Sequence, residues 1–291
     1  MKKLLTTILA ALALAGGIWL GTNQEKPLEV RGPSMEIHFI DVGQGDSLLI
    51  QSPDGKSMLV DAGEKRAGDK VVQYLRSQRI TRLDILAMSH PHSDHIGGME
   101  AVLSNFSVGR VLDSGYPHGS KVQLRVLEQI ENDRIPYIVA HEGQRFQLGN
   151  DVIIEILSPP QELFKNTTSD ANNNSLVMRV TYGEISALLT GDLEREGEAT
   201  LIASRQNLES CILKVAHHGS RNSTSIELLR MVKPGFAVIS VGANNEYGHP
   251  HKALLKRLSP ERLGAKVYRT DRNGTIVLNT DGKAVYVRTE K

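Results

Sequence analysis

The chain has 291 residues, 40% hydrophobic and 23% charged, which suits a globular protein with a closed core and excludes a coiled coil, a collagen-like fibre and bulk disorder. With 34 Lys and Arg against 33 Asp and Glu, the net charge of +1 leaves no electrostatic footprint for tight nonspecific nucleic-acid binding, so any nucleic acid would be a substrate held locally. The aromatic fraction of 4% argues against a sugar-binding or base-stacking surface, and a single cysteine, Cys211, excludes a disulfide framework and a Cys-rich zinc site.

In chain order, Met1-Lys2-Lys3 and the apolar run from Leu4 to Leu20 come first, followed by the polar stretch Gly21 to Pro27. Residues 1–27 therefore read as a secretory signal or an N-terminal membrane anchor, which predicts an exported protein that meets the membrane only through this segment. No cysteine follows the run, so a lipid anchor is not expected.

Residues 34–291 read as one domain, because no long linker rich in Pro, Gly or Ser divides them. β-Branched and apolar runs predict strands at 36–41, 47–51, 57–61, 85–88, 110–112, 152–157, 176–181, 185–190, 212–215, 236–240, 266–269, 275–278 and 284–288. Helical spacing predicts helices at 65–78, 98–103, 122–131, 194–203, 224–231 and 251–258. The segments Ser47 to Gly55 and Ser175 to Gly183 share one offset, and each arm ends on an aspartate, Asp61 or Asp192, which hints at two related β-layers packed face to face. Cys211, beside Ile212 and Leu213, reads as a small buried residue. Arg76, Arg79 and Arg82 read as a solvated helix end, with a DNA groove as the alternative.

The chemistry concentrates in Ser89-His90-Pro91-His92-Ser93-Asp94-His95-Ile96-Gly97-Gly98, directly after the apolar strand at 85–88. Imidazole and carboxylate suit Zn, Mn or Fe. A strand-end loop lets His90 and His92 grip one metal while Asp94 and His95 reach another. Pro91 keeps the segment from being a regular helix, and Gly97-Gly98 lets the backbone turn tightly into the next one. Further ligands are expected from Asp192, which can bridge two metals or cap a helix, and from His217-His218, one as ligand and the other as donor to a substrate oxyanion. His249 is a candidate general acid or phosphate donor, or simply a helix-entry residue before Pro250. Ser220, Ser223 and Thr224 are candidate phosphate contacts, with a cap on the helix from Thr224 as the alternative.

The run His90-Pro91-His92-Ser93-Asp94-His95 resembles the H-x-H-x-D-H signature of the metallo-β-lactamase-fold hydrolases, with Asp61 in Leu59-Val60-Asp61-Ala62-Gly63 matching their early strand-end aspartate. Phe39 to Ser47, Leu188 to Asp192, His217 to Ser220, Tyr247 to His251 and Arg269 to Gly274 together resemble the soluble hydrolase domain of the competence protein ComEC, from about Met35 to Asp281. The multiple membrane spans of the DNA-uptake channel are not among the matched features.

The resemblance implies an α/β, four-layer αββα sandwich with two divalent metal ions, Zn or Mn, at one edge. His90 and His92 would hold the first, Asp94 and His95 the second, Asp192 would bridge, His217 or His218 would complete the shell, and Asp61 would orient a ligand histidine through its other ring nitrogen. The fold usually supplies another histidine before the bridging aspartate, where this chain has Asn172-Asn173-Asn174-Ser175, so the first metal has fewer nitrogen ligands. The implied activity is hydrolysis of a phosphodiester, nucleic acid among the substrates, by water activated between two cations and oriented by Asp94, with His249 and Ser220 as substrate contacts. The alternatives are a small phosphoester of phosphorylcholine type, a lactone or a β-lactam, and a non-catalytic metal-binding envelope protein assisting DNA uptake.

Overall fold

Strands that are apolar on both faces can be buried only between other layers, and this chain has several, including Ile85-Leu86-Ala87-Met88 and Ile212-Leu213. A computed structural model describes residues 32–259 and 263–291. The expected signal or anchor at 1–27 lies outside the described residues. Among those described, no helix is long and apolar enough to cross a membrane.

The strands of the first half are β1 (Met35–Phe39), β2 (Leu48–Gln51), β3 (Ser57–Val60), β4 (Arg82–Leu83), β5 (Ile85–Met88), β6 (Ser107–Val108), β7 (Val111–Asp113) and β8 (Tyr137–Val139). The second half contributes β9 (Arg145–Leu148), β10 (Val152–Ser158), β11 (Val177–Tyr182), β12 (Ile185–Leu189), β13 (Ile212–Lys214), β14 (Phe236–Ile239) and β15 (Lys266–Arg269). Two further strands, β16 (Ile276–Thr280) and β17 (Val285–Thr289), return to the first sheet. That sheet runs β17-β16-β1-β2-β3-β5-β7-β8, the second runs β15-β14-β13-β12-β11-β10-β9, and β4-β6 form a small parallel pair.

One core lies between the sheets: Ile37, Phe39, Ile50 and Met58 of the first meet Ile154, Met178, Ala187 and Ile212 of the second. The outer face of the first sheet, with Leu49, Leu59 and Leu86, is covered by helices Gly68–Ser77, Met99–Asn105 and Lys121–Asn132. The outer face of the second, with Leu188, Leu213 and Ala237, is covered by helices Arg195–Ala203, Ile226–Val232 and Lys252–Arg257. These layers make the αββα sandwich. Helix Gly68–Ser77 shows why the sequence builds them: Val71, Val72 and Leu75 share one face and are buried, whereas Lys70 and Arg76 face water.

The two matched hairpins occupy equivalent places. β2 and β3 pair antiparallel, and β3, β5, β7 and β8 then run parallel; β11 and β12 pair antiparallel, and β12, β13, β14 and β15 then run parallel. The loops after β3, β5, β12, β13 and β14 gather at the carboxyl ends of the parallel strands, where open α/β sheets place their ligand sites.

Several local expectations are corrected. Residues Ser93–Ile96 form one helical turn rather than a strand-end loop, entered through His92 in an extended conformation. Pro91 keeps that turn from extending backwards. The cap of helix Ile226–Val232 is Ser225, which accepts from Leu228 N at 3.1 Å. Thr224 instead lies at φ +52° and its Oγ1 accepts Ala216 N at 3.1 Å. Gly97 and Gly98 have ordinary right-handed helical angles. Gly98 is required by close approach, since a Cβ there would lie 2.2 Å from the Ala62 carbonyl oxygen. Cys211 is half-buried rather than fully buried.

Candidate metal centre

Four imidazoles converge on one carboxylate. The Nε2 atoms of His95, His218, His90 and His217 lie 3.2, 3.4, 3.8 and 3.8 Å from Asp192 Oδ2. Three of the rings are tethered through the other nitrogen, and that of His217 stands beside a carboxylate without a hydrogen bond. His95 Nδ1 donates to Asp61 Oδ2 at 2.8 Å and His218 Nδ1 to the Ser240 carbonyl at 2.9 Å. His90 Nδ1 lies 3.1 Å from Ser89 Oγ, and His217 Nδ1 lies 2.8 Å from Glu194 Oε1. A ring held at Nδ1 presents its Nε2 in a fixed direction, which is how proteins aim imidazole ligands.

Asp94 joins from the helical turn, its Oδ2 3.2 Å from His218 Nε2. Ligand atoms of Asp94, His95, Asp192 and His218 all lie within 4.8 Å of one another. His90 and His92 stand beside this group, His90 Nε2 3.0 Å from His92 Nδ1. His217 and His218 are therefore both at the centre, in different settings.

The backbone is bent to achieve this. Asp61, His217 and His218 have φ of +60°, +48° and +49°, a region that costs a residue with a side chain roughly 1–3 kcal/mol and persists where the surroundings over-determine it. Asp61 is fixed by Ser89, whose N donates to Oδ1 at 2.8 Å and whose Oγ donates to Oδ2 at 2.6 Å. Gly45, at φ +132°, passes so close to the metal-motif turn that a Cβ would lie 2.2 Å from the Asp94 carbonyl oxygen.

Charge follows geometry. Burial, together with the charge of His95, holds His90 well below its ordinary value, and burial lowers His92 as well. At His95 and His218 burial also opposes the charge, but Asp192 and the neighbouring aspartates outweigh it, and His218 is raised to about 10. Burial works against ionising Asp94 and Asp192, yet the facing histidines hold both below the usual carboxylate range.

The arrangement fits a divalent cation on its own evidence. His95 Nε2, His218 Nε2 and Asp192 Oδ1 are buried without a hydrogen-bond partner among the described residues. The donors are imidazole nitrogens and carboxylate oxygens around an electrostatic well that attracts positive charge. The centre forms the floor of a cavity of about 400 Å³, whose walls include His92, His118, Tyr247 and His249. Burial and the adjacent His217 pull His249 down to about 4, so its imidazole is neutral at pH 7.

Ser220 is not brought to this cavity. It is buried, and its Oγ accepts Asn222 N at 3.2 Å. Ser223 Oγ likewise turns inward, donating to the Ala216 carbonyl at 2.9 Å. Of the three asparagines that replace the expected histidine, Asn172 donates to Glu194 Oε1, beside His217, at 3.4 Å, and the other two serve the scaffold. Asn173 donates to Thr167 and Glu196, and Asn174 to the Phe164 carbonyl.

Sequence reasoning missed Ser89, Glu194, Asp46 and Lys214 as parts of the centre. Lys214 is fully buried, its Nζ 2.5 Å from Asp46 Oδ2, 3.8 Å from Asp192 Oδ1, and donating to the Gly191 carbonyl at 3.0 Å. A lysine inside an apolar strand is itself the signal that was available.

Residues 40–243 match the Metallo-beta-lactamase superfamily. The chain belongs to that superfamily. Among curated relatives it is 35% identical over 259 residues to ComE operon protein 3 of Bacillus subtilis, covering 83% of this chain and 32% of that protein. It is 33% identical over 269 residues to competence protein ComA of Neisseria gonorrhoeae, covering 92% and 35%. The chain thus spans about a third of the length of these relatives, which are competence proteins of the ComEC type. Among solved structures, the metallo-β-lactamase fold protein YhfI from Bacillus subtilis superposes with a TM-score of 0.51 at 15% identity, over 84% of this chain and 99% of that one. The superfamily is one of metal-dependent hydrolases, and the histidine–aspartate cluster described above is able to bind metal ions.

Proposed function

We propose that this chain is a metal-dependent phosphodiesterase whose substrates include nucleic acid, acting outside the cytoplasm after export by its N-terminal segment. The observation that carries the reading is the convergence of four imidazoles on Asp192 Oδ2 at the floor of the cavity. His90, His92 and His217 would hold one divalent cation, Zn or Mn, and Asp94, His95 and His218 a second, with Asp192 between them. Bound there, the cations supply Lewis acidity and lower the pKa of water.

The chain's own residues do the rest. Asp94, kept ionised by His95 and His218, accepts a hydrogen bond from the attacking water and orients it. His249, neutral at pH 7 and on the cavity wall, donates a hydrogen bond to a non-bridging phosphoryl oxygen, a role that needs no charged imidazole. Asp61 and Ser89 keep the imidazoles of His95 and His90 aimed, and the Glu194 carboxylate stands beside that of His217. The competence relatives support nucleic acid as the substrate class.

The test is hydrolysis of single- and double-stranded DNA and of bis(p-nitrophenyl) phosphate with Mn or Zn, comparing the wild type with Asp192→Asn. We expect metal-dependent cleavage that falls by about 100-fold or more in the variant, as when a charge-stabilising group is lost. Tight metal binding without turnover of any of these substrates would sink the reading.

A further inference from the structure

The cavity wall carries one aromatic ring that the chemistry above leaves unused. Tyr247 is 57% exposed, yet it stands on a braced loop. The Asn245 side chain donates to the Gly242 carbonyl at 2.9 Å and to the His249 carbonyl at 2.7 Å, and accepts from His249 N at 2.9 Å. Gly248, at φ +69°, lets the chain reverse there. The Tyr247 ring lies against the His249 imidazole, with centroids 5.7 Å apart and planes 27° from parallel. One face is thus backed by His249, and the exposed ring lines the same cavity as Asp94 and Asp192.

A ring held in water by a rigid turn lacks a contact, and this one lines the cavity where the phosphodiesterase reading puts the phosphoryl group. We propose that Tyr247 is a nucleobase-stacking platform, on which the base next to the scissile phosphate lies flat. This inference rests on the phosphodiesterase reading and deepens it. Every base presents a π-face, so such a platform favours nucleotide diesters over aliphatic ones without reading base identity. The 4% aromatic composition allows no surface of rings, but one braced ring is enough for one base.

The experiment compares thymidine 5′-(p-nitrophenyl phosphate) with methyl p-nitrophenyl phosphate, which share a leaving group, using the full chain with Mn. Tyr247→Ala should raise KM for the thymidine diester about tenfold and leave KM for the methyl diester and both kcat values nearly unchanged. Tyr247→Phe should restore the wild-type KM. Equal shifts for both substrates, or none, overturn the platform. Binding of a phosphorothioate dithymidine by calorimetry separates the two ideas. A comparable loss of affinity in Tyr247→Ala without turnover of any diester by the wild type keeps the platform and discards the phosphodiesterase, whereas unchanged affinity discards the platform.

Discussion

Lys214 is the residue whose position is hardest to explain without the site. An ammonium group removed from water is costly unless it is paired and hydrogen-bonded. Here burial opposes the charge, but Asp46 and Asp192 outweigh it and raise the lysine's pKa, so it stays protonated. The Asp46, Asp61 and His95 donors would themselves form a three-ligand group, and Lys214 supplies a cation on that side, away from the cavity. Replacing it with methionine keeps the length and removes the charge, so that Asp46 loses its nearest cation in the interior and Asp192 is left with the histidines alone. The metal-free Lys214→Met protein should lose about 3–5 kcal/mol, the cost of breaking a buried pair by removing one partner. Urea unfolding in the presence of EDTA measures this, and a loss below about 1 kcal/mol would show that the aspartates find compensation elsewhere. The ligand residues themselves were legible because His, Asp and His crowd six positions after a strand. Their neighbours were not, since Ser89 and Glu194 are ordinary residues until the fold brings them to a ring nitrogen.

The elements were legible wherever apolar periodicity is strong. The buried strands β5 and β13 and the helix Lys121–Asn132 fall within a residue or two of their sequence boundaries, and the helix expected from 65 begins at Gly68 because Lys65–Ala67 form a tighter 3-10 turn. Strands β8 and β9 were missed because they sit at sheet edges and carry exposed or half-buried side chains, Tyr137, Val139, Arg145 and Gln147, which blur the alternation. The short turn Asp170–Asn173 was missed because its order comes from distant partners. Glu196, on helix Arg195–Ala203, accepts from Thr168 Oγ1 at 2.5 Å, Thr168 N at 3.2 Å and Asn173 Nδ2 at 3.0 Å, and so pins that segment to the helix. These bonds, the Thr168 hydroxyl first, pull its carboxyl down to about 2. A depressed pKa means that the unfolded chain takes up the proton first. The stabilisation is fully present above the ordinary value of 4.5 and is lost as pH falls through about 2. Glu196→Gln keeps an acceptor oxygen but cannot titrate. Its stability should therefore depend on pH less steeply between about 4.5 and 2, by up to roughly one bound proton. Urea titrations across that window report the slope, and an unchanged slope would remove Glu196 from the acid limb.

At the scale of the molecule, the internal match of the two hairpins hinted at two packed β-layers, but the four-layer sandwich came from family resemblance, since periodicity finds strands and not which sheet each one joins. That assignment depends on the core between the sheets, whose contacts span the whole chain. The architecture places the centre across two halves: Asp61 and His90 to His95 follow strands of the first sheet, and Asp192, His217 and His218 follow strands of the second. A cation shared among them ties together segments about a hundred residues apart or more, so binding should be felt by the whole fold. A ligand that binds only the native state adds RT ln(1 + [L]/Kd), about 2.7 kcal/mol at a hundredfold excess over Kd. For a domain of this size that corresponds to a rise of about 5–10 °C in Tm. Scanning calorimetry with EDTA, Zn and Mn should show such a rise with at least one of the metals. Because the donors are divided between the sheets, Asp94→Ala in one half and Asp192→Ala in the other should each abolish most of it. A Tm indifferent to both metals would mean that the convergence on Asp192 holds no cation. A rise that survives Asp192→Ala would mean that the metal binds within one half and does not join the two.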